Sequence, residues 1–112
     1  MEDCIFCKIV KGEIPSVKIL ETKDLVAFND INPKAKVHVL IVPKKHIESV
    51  IYLEETDKEL MGELVFAAQK IAKEKGLQGY KLVVNVGREG GQLVDHLHLH
   101  LLSGDVASEL KV

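Results

Sequence analysis

Nowhere in the 112 residues does an apolar run approach the ~20 needed to cross a bilayer as a helix, so a helical membrane span is excluded. Cysteine is almost absent: Cys4 and Cys7 are the whole complement, too few for a disulfide-stapled fold. Charge of one sign is not in excess either, with 15 Lys and Arg against 17 Asp and Glu, a net −2 and a pI near 6.2. That balance argues against a general binder of nucleic acid or acidic membranes. No low-complexity segment or internal repeat interrupts the chain. The first residues carry no secretory pattern, because they include two acids and the apolar stretch after them is short and broken by lysines. The expectation is a cytoplasmic protein with one domain over residues 1–112, large enough to build a core without disulfides.

What is present reads as a mixed fold. Cys4 to Lys11 carry a short amphipathic helical pattern that Gly12 stops. Val17–Glu21 and Leu25–Phe28 read as paired strands around the turn Thr22-Lys23-Asp24. Asn29 to Pro33 is loop chemistry, and Val37–Val42 is a β-branched run expected to be buried on both faces. The capping box Thr56-Asp57-Lys58-Glu59 should open one long helix, with Leu60, Leu64, Ala67, Ala68, Ile71 and Ala72 as its apolar stripe and Gly76 as its stop. Tyr80–Val86 is a further strand, and the glycine-rich loop 87–92 leads into the last one. The order predicts an α+β fold with a five-stranded, mostly antiparallel sheet, one long helix and a short N-terminal helix. The tail over 103–112 has little pattern and is expected to be loose.

The last strand is the most informative stretch. In Asp95-His96-Leu97-His98-Leu99-His100-Leu101-Leu102, three of the five histidines alternate with leucine at the two-residue period of a strand. Their rings leave one face roughly 7 Å apart, so a phosphate-sized group could touch two of them. Imidazole titrates near neutrality, which lets adjacent rings act as nucleophile and as donor. His98, flanked on both sides, is the candidate nucleophile at phosphorus, and His100 the donor to a phosphate oxygen. Gly90 and Gly91 allow amides to approach the same anion.

Metal binding is the rival use of the same residues. Cys4-x-x-Cys7 supplies half of a tetrahedral site, and His38, His46, His96, His98 and His100 are the possible partners. Two of them could complete the site and leave three for catalysis. Spacing alone does not say which.

Taken together, these residues resemble the histidine-triad (HIT) nucleotide-binding family, in its small Hint-like branch. The resemblance runs from Ile5 to about Leu102. It is carried by Ile5-Phe6-x-Lys8-Ile9 with Glu13-Ile14-Pro15, by Ala27-Phe28-Asn29-Asp30-Ile31-Asn32-Pro33, and by His38-x-Leu40-Ile41-Val42-Pro43-Lys44-Lys45-His46. Val84-Asn85-x-Gly87 and Gly91-Gln92-x-x-x-His96-x-His98-x-His100 complete it, the last being the most specific. The resemblance implies cleavage at the α-phosphate of a purine nucleotide conjugate, such as a nucleoside 5′-phosphoramidate, through a nucleotidyl-histidine on His98. It implies that His100 and Asn85 contact the phosphate or leaving group, that His38 and His96 support the catalytic row, and that Asp30 takes the ribose hydroxyls. Phe6, Ile9, Ile14, Phe28 and Ile31 would form the cleft around the base, with Gly91, Gln92 and Leu93 beside the phosphate. It also implies one structural zinc per chain on Cys4, Cys7, His46 and His96, and a homodimer joined through the long helix and the Tyr80–Val86 strand.

Two departures from the branch matter. Leu93 stands where a serine is common near the leaving group, and the chain ends without the usual tryptophan- and proline-bearing segment. They keep two other readings open: a dinucleoside polyphosphate hydrolase, or a zinc-stabilised nucleotide-binding module with little catalysis. A histidine-rich metal buffer is the remaining option.

Overall fold

The computed structural model describes residues 3–105 and 107–109. Seven elements follow in order: α1 (Ile5–Val10), β1 (Lys18–Glu21), β2 (Leu25–Asn29), β3 (Val37–Pro43), α2 (Lys58–Glu74), β4 (Lys81–Val83) and β5 (Leu99–Ser103). The strands form one sheet in the order β1-β2-β3-β5-β4, and every pairing is antiparallel. The predicted α+β fold is the one observed. No described helix is long and apolar enough to cross a membrane.

Strand alternation sorts the side chains into two layers. Leu25, Ala27, Val39, Ile41, Leu97, Leu99 and Leu101 face α2 and pack with its Leu64, Ala67, Ala68 and Ile71. Val26, Phe28, Leu40 and Val42 face the other way and pack with Phe6 and Ile9 of α1. In β3 all residues after Val37 are buried, as a central strand covered on both faces requires. Each fully buried leucine or isoleucine here is worth roughly 1.5–3 kcal/mol over its exposed state. The helix stops at Lys75, and Gly76 takes the left-handed φ of +68° that only glycine adopts freely.

Several local expectations are corrected. The capping box at the start of the long helix lies two residues earlier than the one read at Thr56 and Glu59: Glu54 and Asp57 cap a single 3-10 turn over Glu55–Asp57 that precedes α2. Asp57 wins the position because its carboxylate also accepts from Lys45 Nζ at 2.7 Å, a partner distant in sequence. The strand expected over Tyr80–Val86 is three residues long, since β5, its partner, pairs with it only from Val83↔His100 to Lys81↔Leu102. The tail is not loose throughout: Ser103 belongs to β5, and Ala107 is buried in a 3-10 turn over Ala107–Glu109. Residues 106 and 110–112 of that tail lie outside the described residues.

Candidate active site and metal cluster

The histidine row begins before its strand. His96 and His98 lie on the segment that leads into β5, His96 in a bend, and there the Leu97 N–H donates to Ile47 O at 2.7 Å instead of to a sheet neighbour. His100 lies within β5, opposite Leu40 of β3 and Val83 of β4. All three rings are buried, so the row is not a solvent face. Phe6 meets the edges of both His96 and His98, with ring centroids at 5.9 and 5.1 Å.

The hydrogen bonds fix which nitrogen of each ring carries the proton. His98 Nδ1 is 2.7 Å from His96 O, and a carbonyl accepts, so Nδ1 is the N–H and Nε2 keeps a bare lone pair. His38 Nδ1 accepts from the Lys34 backbone N–H at 3.1 Å, so in a neutral ring the proton sits on Nε2. That Nε2–H donates to His100 Nδ1 at 2.9 Å, which leaves the His100 proton on Nε2. The chain of donors thus runs from Lys34 through His38 to His100. Burial keeps these rings neutral: it pushes His38 and His98 below the usual histidine range and His100 down to about 4. Asp30, with Oδ2 at 3.5 Å from His38 Nε2, pulls in the opposite direction and loses.

A second cluster lies at the start of the row. One donor atom each from Cys4, Cys7, His46 and His96 lie within 4.8 Å of one another. Cys4 Sγ is 3.3 Å and Cys7 Sγ 3.5 Å from His96 Nδ1, and Cys7 Sγ is 3.1 Å from His46 Nδ1. A tetrahedral ion with bonds of ~2.3 Å to sulfur and ~2.0 Å to nitrogen separates its donors by about 3.3–3.8 Å, so the four residues fit one. The spacing works because Cys4 is the N-cap of α1 and its Sγ accepts the Cys7 N–H at 3.3 Å, which brings the two sulfurs to one end of the helix. The far nitrogen of His96, Nε2, donates to Pro43 O at 2.8 Å, leaving Nδ1 as a lone pair toward the sulfurs. Burial and the neighbouring Cys4 raise the Cys7 thiol to about 11, so a thiolate here needs a cation beside it. Cys4, Cys7, His46 and His96, the ligand set the family resemblance implies, thus lie together as a group that could hold a metal ion.

The remaining nominated residues divide. Phe6, Ile9 and Phe28 are buried in the α1-side cluster, with Ile14 packed against it half-buried. Ile31 is 87 % exposed, and Asp30 beside it is half-buried, with Oδ1 accepting the Asn32 N–H at 2.8 Å. The surface therefore starts one residue from the His38–His100 pair. Asn85 Nδ2 donates to Gly90 O at 2.9 Å, and Gly91 takes a left-handed φ of +85°. Leu93 is 83 % exposed. Gln92 is buried with its amide fully engaged on backbone groups: Oε1 accepts from Gly87 N–H, and Nε2 donates to Glu48 O and Val94 O. His98 and His100 keep 7 and 8 % exposure, so the row is recessed. A cavity of about 380 Å³ opens on Cys4, Ile5, His46, Glu48, Leu93 and Val94, and one of about 350 Å³ adjoins it at His46, Tyr52 and Asp57. Neither is lined by His98 or His100.

The sequence reading missed the groups that set the tautomers. The Lys34 amide, the Pro43 carbonyl and the His96 carbonyl belong to the backbone, so residue type does not mark them. It also missed the Arg88–Asp95 pair, whose two contacts of 2.9 and 3.0 Å clip the glycine loop to the start of the row.

A row of three buried imidazoles backed by a fourth, leading into an interior antiparallel strand and packed in part by a short helix, defines a histidine-triad protein. A family model described as scavenger mRNA decapping enzyme C-terminal binding matches residues 3–111. Protein HitA of Neisseria gonorrhoeae is 41 % identical over 107 residues, covering 95 % of this chain and all of HitA. The crystal structure of a HIT family hydrolase from Legionella pneumophila Philadelphia 1 is 48 % identical with a TM-score of 0.88, over 91 % of this chain and 93 % of that one. A histidine triad protein from Clostridium difficile is 47 % identical with a TM-score of 0.90, over 94 % and 93 %. The chain belongs to the histidine-triad (HIT) family.

Proposed function

We propose that the protein is a nucleotide-binding hydrolase that cleaves at the α-phosphate of purine nucleotide conjugates, nucleoside 5′-phosphoramidates first among them, through His98. The observation that carries this reading is the bond from His98 Nδ1–H to His96 O, which supports a neutral ring whose Nε2 is free to attack. In the first step His98 Nε2 forms a bond to phosphorus as the bond to the leaving amine breaks. His100 Nε2–H stabilises a non-bridging oxygen, with His38 holding the His100 tautomer. Leu93 has no proton to give, so the departing amine takes one from water. In the second step water attacks phosphorus, the bond to His98 breaks, and the nucleoside monophosphate leaves with the remaining proton going to solvent. Asp30, at the exposed end of the row, suits the ribose hydroxyls, and Phe6, Ile9, Ile14, Phe28 and Ile31 the base. The hydrolase named among the relatives is consistent with this assignment.

In the same reading the Cys4, Cys7, His46 and His96 group holds one zinc ion, which is structural because four protein ligands leave no open position. Two thiolates held by a metal suit a reducing compartment such as the cytoplasm. We further propose a homodimer, on the strength of Val65 and Phe66 on α2 and Tyr80 and Leu82 at the β4 edge, which are 38 to 71 % exposed.

The test is rapid-quench mass spectrometry of the intact protein with adenosine 5′-monophosphoramidate. The expected result is a transient species heavier by one nucleotide, absent in His98→Ala, which still binds AMP. Undiminished hydrolysis by His98→Ala removes the mechanism. Turnover slower than roughly 10⁻² s⁻¹, far below ordinary enzyme rates, favours the binding-module reading. The recessed row and the exposed Leu93 are the features that keep that reading in play.

A further inference from the structure

Two groups of metal-ligating side chains share this fold, and their backbone partners differ in kind. Beside Cys4, Cys7, His46 and His96 lies the set Asp30, His38 and His100, whose donor atoms are likewise within 4.8 Å of one another. His38 Nε2 is 2.9 Å from His100 Nδ1 and 3.5 Å from Asp30 Oδ2. Two imidazoles and a carboxylate at such separations would ordinarily attract a divalent ion. A neutral imidazole bound to metal through one nitrogen carries its proton on the other, and that proton needs an acceptor. His96 has one: its Nε2–H meets Pro43 O at 2.8 Å. His38 has the reverse, because its Nδ1 faces the N–H of Lys34 at 3.1 Å. A metal on His38 Nε2 would move the ring proton to Nδ1 and set it against the Lys34 N–H, with the His38 side buried at 3 % exposure and the Lys34 side reaching the surface.

We infer that the backbone N–H of Lys34 is a positioning group that holds His38 as the Nε2–H tautomer and so keeps divalent ions out of the Asp30–His38–His100 set. The Cys4–Cys7–His46–His96 set, whose ring partner is a carbonyl, remains open to them. One donor type, placed four residues before His38 by the loop that follows Pro33, thus decides between proton and metal. An orphaned buried donor costs roughly 10- to 100-fold in affinity, and a metal at His38 would orphan the buried Nδ1–H of that ring. The inference rests on the proposed hydrolase only in naming His38 and His100 as part of its machinery. Ring tautomers and ion counts are read without turnover, so its failure and that of the hydrolase reading are separable.

The experiment titrates the folded protein with cobalt(II) chloride while absorbance is followed, alongside ¹⁵N NMR of the imidazoles. Wild-type protein is expected to take one ion, with the intense near-ultraviolet band of cobalt–thiolate bonding, and to show His38 Nδ1 bare and Nε2 protonated. Lys34→Ala keeps the amide and should behave the same. Lys34→Pro deletes it and should take a second ion, bound at least 10-fold tighter than any second ion of the wild type, without added thiolate absorbance. Asp30→Asn in the Lys34→Pro background should weaken that second ion. A second tight ion on His38 and His100 of the wild type overturns the inference, as does a folded Lys34→Pro that takes only one. Should Lys34→Pro fail to fold, the wild-type NMR decides alone: a proton found on His38 Nδ1 overturns it.

Discussion

Gln92 illustrates how a residue in the most diagnostic motif can act entirely on the backbone. Its carbonyl oxygen accepts from Gly87, and its NH₂ donates to Glu48 O at 2.6 Å and Val94 O at 2.9 Å. One amide therefore joins the two ends of the glycine loop to the segment just after His46. Gln92→Glu preserves size but turns two donors into acceptors facing carbonyls. The expected loss is about 2–4 kcal/mol of stability, from two hydrogen bonds broken with their carbonyls left buried. Urea denaturation checks the stability, and hydrogen exchange over residues 87–94 checks whether the loop opens first. At this scale the family resemblance anticipated the grouping of the two cysteines with His46 and His96, while spacing alone did not. The sequence was silent on how Gln92 is used, because a glutamine suited to an anion and one suited to three peptide groups look alike in one dimension.

The elements were legible wherever the apolar period ran long. The stripe of α2 was read correctly, and Leu64, Ala67, Ala68, Ile71 and Ala72 are its buried residues. Leu64→Ala should cost about 2–5 kcal/mol, measurable by thermal or chemical unfolding, because Leu64 is 1 % exposed within the main core. Element ends were harder, since they are settled by partners far along the chain. Asp57 at the threshold of α2 shows this, with Lys45 on one oxygen and the Glu54 N–H at 2.9 Å on the other. The bond from Lys45 comes first, then that from Glu54, in holding its carboxyl below the usual aspartate range. A carboxyl depressed by folding stabilises the fold above its unfolded value of about 4, and that contribution is lost as the pH falls through the folded value. Asp57→Asn should therefore be less stable than wild type at pH 7, with the gap closing below about pH 4. A constant gap across a pH series of melting temperatures would refute the assignment. Strand β4 was overextended for a related reason: Tyr80–Val86 has strand composition throughout, but pairing ends where β5 begins.

At the scale of the molecule, the Cys and His cluster ties together three parts of the chain that are far apart in sequence. These are the start of α1, the loop after β3, and the approach to β5. Removing the proposed ion with a strong chelator should lower the melting temperature and speed exchange in α1 before the sheet. Equal loss of protection in both would contradict that order. The exposed apolar side chains of α2 and β4 frame a second prediction. Phe66→Glu should convert the proposed dimer to monomer in analytical ultracentrifugation, since Phe66 is 71 % exposed and has no core to lose. The sequence could not separate such a surface from a core face, because Phe66 and Ile71 look equally apolar until the packing is known.

His96 stands in two systems at once. Its imidazole turns toward the thiols, while its own carbonyl steadies the ring two residues on. Loss of the proposed ion would therefore be felt first as a mis-aimed His98 and only later as a melted domain. Partly demetallated preparations should contain molecules that are folded by circular dichroism yet silent in turnover, and activity per milligram would track ion content more closely than helix content.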